Sequence, residues 1–172
     1  MDRYRLGFAV ALMVFALDQL TKWIVTGPLA INYIGAELYL LSFFQFTYTE
    51  NNGISLGLLN ATTETGRWML VALTSAIAIG VAVWIGREKD RFDRIALGMV
   101  LGGALGNILD RVRHGYVVDF LDLHFGAFRP FYIFNIGDAA ISIGVVILLL
   151  RAFLTRKEPT EGEEPRETIE HA

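Results

Sequence analysis

Two aspartates stand where a polypeptide rarely tolerates a charge. Asp138 lies in F-N-I-G-D-A-A-I-S, six residues into an apolar run, with no Lys or Arg within a helical turn. Asp119 lies in G-Y-V-V-D-F-L-D, flanked by Val117, Val118, Phe120 and Leu121. A charge at the centre of a membrane helix costs roughly 2.5–3.5 kcal/mol on insertion scales, so an acid kept there needs a partner or a task. Two carboxylates brought together cannot both ionise readily, and they share a proton. The ionised member can take a proton from water while the protonated member donates to a scissile carbonyl oxygen. That is peptide hydrolysis without a metal or a covalent intermediate. Periodicity leaves open whether the two acids meet. Asp122, three residues beyond Asp119, competes for the same role. The structural alternatives are a polar helix contact, with Asp138 paired to Arg111 or Lys22, and an interfacial cap at Asp119.

Other polar residues read more readily as scaffolding. Asn107, Asp110 and Arg111 close the stretch G-G-A-L-G-N-I-L-D-R, where Asn107 and Arg111 share a helix face. Asp110 beside Arg111 suits a helix end, with Arg111 reaching to the interface. The glycines suit close helix packing, and no phosphate-binding loop is present. Asp18 and Lys22 stand at i,i+4 in the favourable acid-first order, which predicts a structural ion pair near the outer interface. Asn51-Asn52-Gly53 reads as a tight turn. Ser55 beyond it has no G-x-S-x-G context, and a Ser–Lys dyad using Lys22 has no local support. His114, His124 and His171 lack metal-ligand spacing and there is no Cys, so neither a metal nor any other cofactor is expected.

The elements that must position these groups are membrane spans. Of 172 residues 53% are hydrophobic and 19% charged, with mean hydropathy +0.44. The formal charge of −3 belongs entirely to the last 18 residues, which hold three basic and six acidic side chains. No basic, aromatic-laced patch argues for nucleic acid. Four apolar runs stand out: Leu6 to Val25, Trp68 to Gly86, the Gly-rich Ile95 to Leu109, and Tyr132 to Leu150. A bilayer core takes about 20 apolar residues as helix. The first run holds Asp18 and Lys22 and lacks a small-x-small cleavage site, so it reads as a retained anchor rather than a leader. Arg87, Lys89, Arg91 and Arg94 crowd one short loop, and Arg3, Arg5, Arg151, Arg156 and Lys157 flank the ends. The positive-inside rule then puts both termini in the cytoplasm and the two longer connections outside. In the first of these, Phe44, Phe46 and Tyr48 alternate with Gln45, Thr47 and Thr49, the period of a half-buried strand. Val117 to Leu123 is also strand-prone. Thr62 to Arg67 reads as a polar loop or cap, and the Glu- and Pro-rich segment 155–172 as a disordered cytoplasmic tail.

In ordered succession, L-D-Q at 17–19, N-N-G at 51–53, G-G-A-L-G-N-I-L-D-R at 102–111, V-V-D-F at 117–120 and F-N-I-G-D at 134–138 resemble the lipoprotein signal peptidases (signal peptidase II) of bacteria. The last motif has Gly137 and Ala139 around its acid, where the family commonly has Ala and Ser. The resemblance spans about residues 18–150. It implies an α-helical integral membrane protein with a small extracytoplasmic β-rich cradle. The four transmembrane helices would be near 6–25, 67–86, 94–111 and 132–151, in a single peptidase domain over 1–154. It implies that Asp119 and Asp138 are catalytic, and that Asn51, Asn107, Arg111 and Asn135 bind substrate or support the dyad. Asp18 would be structural. It also implies an aspartic endopeptidase of the bacterial inner membrane, acting at the outer face, expected to be a monomer. Its partners would be membrane lipid and a prolipoprotein, cut before a diacylglyceryl-modified Cys. Two rival readings remain at this point. One is a small proton-coupled transporter with Asp138 and Asp18 as relay groups, for which the internal repeat is missing. The other is a non-catalytic scaffold packing through the Gly-rich run.

Overall fold

The computed structural model describes residues 3–53 and 63–154, so Ser55 and the expected tail at 155–172 lie outside the described residues. Four helices are long and apolar enough to cross a membrane: α1 (Arg3–Thr26), α2 (Glu64–Arg87), α3 (Arg91–His114) and α4 (Ile136–Leu154). Three strands, β1 (Glu37–Leu41), β2 (Phe44–Asn51) and β3 (Val117–Leu123), form one antiparallel sheet in the order β1-β2-β3.

Helix ends follow local sequence. The Thr63 side chain accepts from Gly66 N at 3.1 Å and starts α2, while Asp90 accepts from Phe92 N and Asp93 N and starts α3. Gly115 stops α3 at φ +93°, a left-handed conformation that strains any residue with a Cβ. Arg67 of α2 donates to the carbonyls of Arg111 and Val112, both at 2.7 Å, and so satisfies the exposed end of α3.

The helices pack around α3. Half of its apolar window is buried in the protein, against at most 28% for the other three. Glycine makes this possible. A Cβ at Gly98 would strike Gly7 O, one at Gly102 Ala11 O, and one at Gly103 Gly137 O. These backbones touch directly, as close packing in a bilayer favours. Large apolar side chains such as Leu12, Ile79 and Phe153 point outward from α1, α2 and α4, the surface that a lipid environment covers.

The cradle differs from expectation in three places. β1 is exposed along its whole length and shows no alternation. On β2, Gln45 and Thr47 are more buried than Phe44 and Phe46, so the strand is covered on its polar side too. Finally, α4 begins at Ile136 rather than at 132. Phe134 is taken up by a bridge to Leu121, with Phe134 N donating to Leu121 O at 3.1 Å and Leu121 N to Phe134 O at 2.8 Å.

Candidate active site

Asp119 sits mid-strand on β3, opposite Thr49 of β2, where an extra residue on β2 shifts the register. Asp138 sits in the first turn of α4. The residue between them in space is Asn135. Its Oδ1 accepts from Asp138 N at 2.9 Å, and its own backbone N–H is directed at Asp138 Oδ2 at 3.3 Å. This reciprocal pattern is a capping box, and it holds the Asp138 carboxylate at the helix start. Asn135 Nδ2 meanwhile donates to Asp119 Oδ1 at 2.6 Å and to Asn107 Oδ1 at 3.1 Å. Asn107 Nδ2 completes the ring by donating to Asp138 Oδ1 at 2.7 Å. One buried residue therefore contacts both acids, which stand on consecutive elements, β3 and α4.

Asn51 closes the other side. Its Nδ2 donates to Asp119 Oδ2 at 3.0 Å, and its Oδ1 accepts from Gly53 N at 2.9 Å. That second bond is the turn expected at N-N-G, with Gly53 at φ +104°. Burial, and then the negative charge of Asp138, push the Asp119 carboxyl up to about 7, against the hydrogen bonds from Asn51 and Asn135 and the charge of Lys22. Near neutral pH the Asp119 site therefore holds a proton for much of the time.

Behind the two acids lies a second charged cluster, only part of which the sequence suggests. Lys22 Nζ contacts Asp18 Oδ2 and Asp110 Oδ2, both at 2.8 Å, and Asn107 Oδ1 at 3.3 Å. Asp18 Oδ1 accepts from Gly137 N at 2.9 Å, and Asp110 Oδ2 from Val118 N at 3.1 Å. Gln19 Nε2 adds a bond to Asp110 Oδ1 at 2.9 Å. The expected Asp18–Lys22 pair is present. Asp110 turns to Lys22 rather than to its neighbour Arg111, so it anchors β3 as well as α1. The signal for this was an acid one turn beyond Asn107, but its partner is 88 positions away in sequence. Asp18 is buried and tied to Lys22 and to the start of α4, the arrangement of a structural ion pair.

Both acids border open space. Asp119 and Asn51 line a groove of about 1100 Å³ with Thr49, Arg111, Arg129 and the segment 130–133. Asp138 lines an adjoining apolar cleft of about 270 Å³ together with Ser142, and Phe131 and Tyr132 border both spaces. Arg111 has a buried Nε with no hydrogen-bond partner, and among the described residues it forms no ion pair with Asp138. Asp122 is committed elsewhere: Arg129 Nε reaches its Oδ1 at 3.0 Å, and Thr47 and Gln45 bond its Oδ2. Although burial acts to raise it, those contacts hold the Asp122 carboxyl below its usual range. The described residues contain no cluster of three or more metal-ligating side chains.

Comparison with known proteins covers the same stretch of chain. The family described as Signal peptidase (SPase) II matches residues 10–154. A lipoprotein signal peptidase of Sphingopyxis alaskensis is 56% identical over 159 residues, covering 92% of this chain and 91% of that one. One from Rhizorhabdus wittichii is 51% identical over 158 residues, with 92% and 91% covered. Among solved structures, a bacterial membrane enzyme determined by the in meso method superimposes with a TM-score of 0.74 at 28% identity, over 91% of this chain and 94% of that one.

Proposed function

The chain belongs to the signal peptidase II family, and from that premise we propose that Asp119 and Asp138 are the catalytic pair of its aspartic endopeptidase activity. The family removes signal peptides from prolipoproteins, and this multi-pass membrane protein is such a peptidase. The observation that carries the site assignment is Asn135. It binds one acid through its Nδ2 and the other through its backbone and Oδ1, while Asp119 is held near neutrality.

Asp119 is the proton donor and Asp138 the base. Where groove and cleft adjoin, Asp138 takes a proton from water as the oxygen attacks the scissile carbonyl carbon, and Asp119 gives its proton to the carbonyl oxygen. Collapse of the tetrahedral species returns a proton to the leaving nitrogen. A carboxylic acid ends the signal peptide and a free amine begins the mature chain. Arg111, which lines the groove, binds a substrate carbonyl. Asn51, Asn107 and Asn135 orient the acids rather than react.

The bond cut is the one before a diacylglyceryl-modified Cys, and the cleft beside Asp138 joins the site to the lipid-facing side of α4. The active site faces outward and both termini are cytoplasmic. Support comes from Arg87, Lys89, Arg91 and Arg94, which cluster at the α2–α3 turn, the end of the bundle away from the sheet. A single copy supplies both acids and their partners, so the chain acts as a monomer. The test is a gel-shift assay with purified protein and a diacylglyceryl-prolipoprotein. Wild type converts it and leaves the unlipidated precursor uncut. Turnover retained by Asp119→Asn or Asp138→Asn overturns the pair.

A further inference from the structure

The wall of the groove opposite Asn51 is a loop, residues 124–135, which leaves β3 and returns to it. Its ends are pinned by the Leu121–Phe134 bridge. Its near half is held by His124 N donating to Phe43 O at 2.9 Å and by the Phe125–Phe128 bridge. Pro130, Phe131, Tyr132 and Ile133, which line the groove, come just after Arg129. Phe131 and Tyr132 are exposed, Tyr132 almost completely, so apolar packing does little to hold them. What ties this stretch to the sheet is Arg129. Its Nε donates to Asp122 Oδ1 at 3.0 Å and to Oδ2 at 3.3 Å, and its second terminal nitrogen to Oδ2 at 3.1 Å. The Asp122 side chain is wholly buried while half of the Arg129 side chain is open to the groove. Gln45 Nε2 and Thr47 Oγ1 of β2 hold the same carboxylate at 3.1 and 3.2 Å, and bond each other at 2.8 Å.

We propose that the Arg129–Asp122 pair is a clasp that positions the substrate, by fixing the Pro130–Ile133 wall against the sheet at the distance the groove requires. The pair is built on β3 three residues from Asp119, so strand, acid and wall share one reference. A forked guanidinium contact sets orientation as well as separation, which a lysine ammonium does less well. Phe131 and Tyr132 of the wall border both the groove at Asp119 and the cleft at Asp138. The position of the wall therefore governs how a peptide and its lipid enter together. Both residues are positioning groups and neither meets the reacting atoms.

The inference rests on the peptidase reading above, and its test separates the two. Arg129→Gln, Asp122→Asn, the double variant and Arg129→Lys are purified full-length and assayed on the lipidated prolipoprotein. Backbone hydrogen exchange of residues 124–135 is followed without substrate. The expected result for either single variant is a KM raised about tenfold with kcat within about threefold of wild type. Exchange of the loop is faster, and that of α3 and α4 unchanged. The double variant is no worse than the singles, because they break one contact. Arg129→Lys recovers part of the loss. An unchanged KM with unchanged loop exchange overturns the clasp, and so does additivity in the double variant. Should Asp122→Asn fail to fold, Arg129→Gln and Arg129→Lys, whose changed atoms lie at the open side, still decide. If wild type itself fails to cleave, the peptidase reading falls, while the exchange data still report whether the pair holds the loop.

Discussion

Two acid clusters lie side by side at the end of the bundle that carries the sheet, and they differ in one component. Asp18 and Asp110 share Lys22, and every oxygen faces either that ammonium or a fixed donor: Gly137 N, Val118 N or the Gln19 amide. Asp119 and Asp138 have no ion pair among the described residues and are served by the amides of Asn51, Asn107 and Asn135. The cation of the first cluster compensates both of its acids. The second cluster has only amides, and the negative charge of Asp138 adds to burial in raising the Asp119 carboxyl. The same residue type becomes a strut in one place and, in the function proposed above, an acid–base pair in the other. Asn107 and Asn135 form the partition between them. Asn107 Oδ1 takes bonds from both Lys22 and Asn135, so the strut cluster also sets the amides that aim the reactive pair.

The largest expected difference between the clusters is in turnover. Asp119→Asn and Asp138→Asn each keep the side-chain shape and remove, respectively, the proposed proton donor and the proposed base, so kcat should fall about 10³-fold or more. Thermal unfolding should shift by little, because neither exchange leaves a buried cation unpaired. A variant that unfolds without losing rate in its folded fraction would erase the distinction. Lys22→Met probes the other side. It leaves two carboxylates facing each other without compensation, and breaking a buried pair in this way costs about 3 kcal/mol or more. Unfolding of purified protein should register that loss. A Lys22→Met protein as stable as wild type would mean that the first cluster is no strut.

Packing gives a smaller effect. Gly106 lies against the Asp18 carboxylate so closely that a Cβ would overlap its Oδ2. Asp18 cannot retreat, because Lys22 and Gly137 N hold both its oxygens. Gly106→Ala should therefore cost about 1–3 kcal/mol as overpacking. It should also lower kcat, because the start of α4 and with it Asp138 must move. Gly80, with open space at its Cβ position, is the control, and Gly80→Ala should leave both quantities unchanged or slightly improve stability.

Which of these features the sequence discloses follows from how each is encoded. The spans are legible because hydropathy is summed over about 20 residues. β2 and β3 are legible from short-range alternation and β-branched content. β1 is invisible because it is exposed throughout, so nothing in E-L-Y-L-L alternates. Gln45 and Thr47 read as a solvent face because their buried partner, Asp122, stands 77 and 75 residues away. The start of α4 was within reach: N-x-x-D at 135–138 is a capping-box pattern, but the apolar stretch at 132–134 reads as more span. Asp119 and Asp138 stand out in the sequence because a charge inside apolar surroundings is anomalous by itself. Asp110 does not, because an acid beside Arg111 already has an adequate local explanation.

The finest test of the second cluster is the titration of Asp119. Asp119 must carry its proton to serve as donor, and its carboxyl is pushed up to about 7. Its folded value thus lies above the ordinary 3.8. The associated stability is fully present below that ordinary value and declines as pH rises toward 7, where Asp119 ionises beside Asp138. Activity should follow the same limb, with kcat/KM falling above about pH 7. Asn51 donates to the charged form and so holds the value down. Asn51→Ala withdraws that bond, the proton is retained to higher pH, and the limb should move alkaline by about one pH unit. Lys22 acts in the same direction as Asn51, from farther off. A limb that stays in place in Asn51→Ala would assign the titration to another group and leave Asp119 without its role as donor.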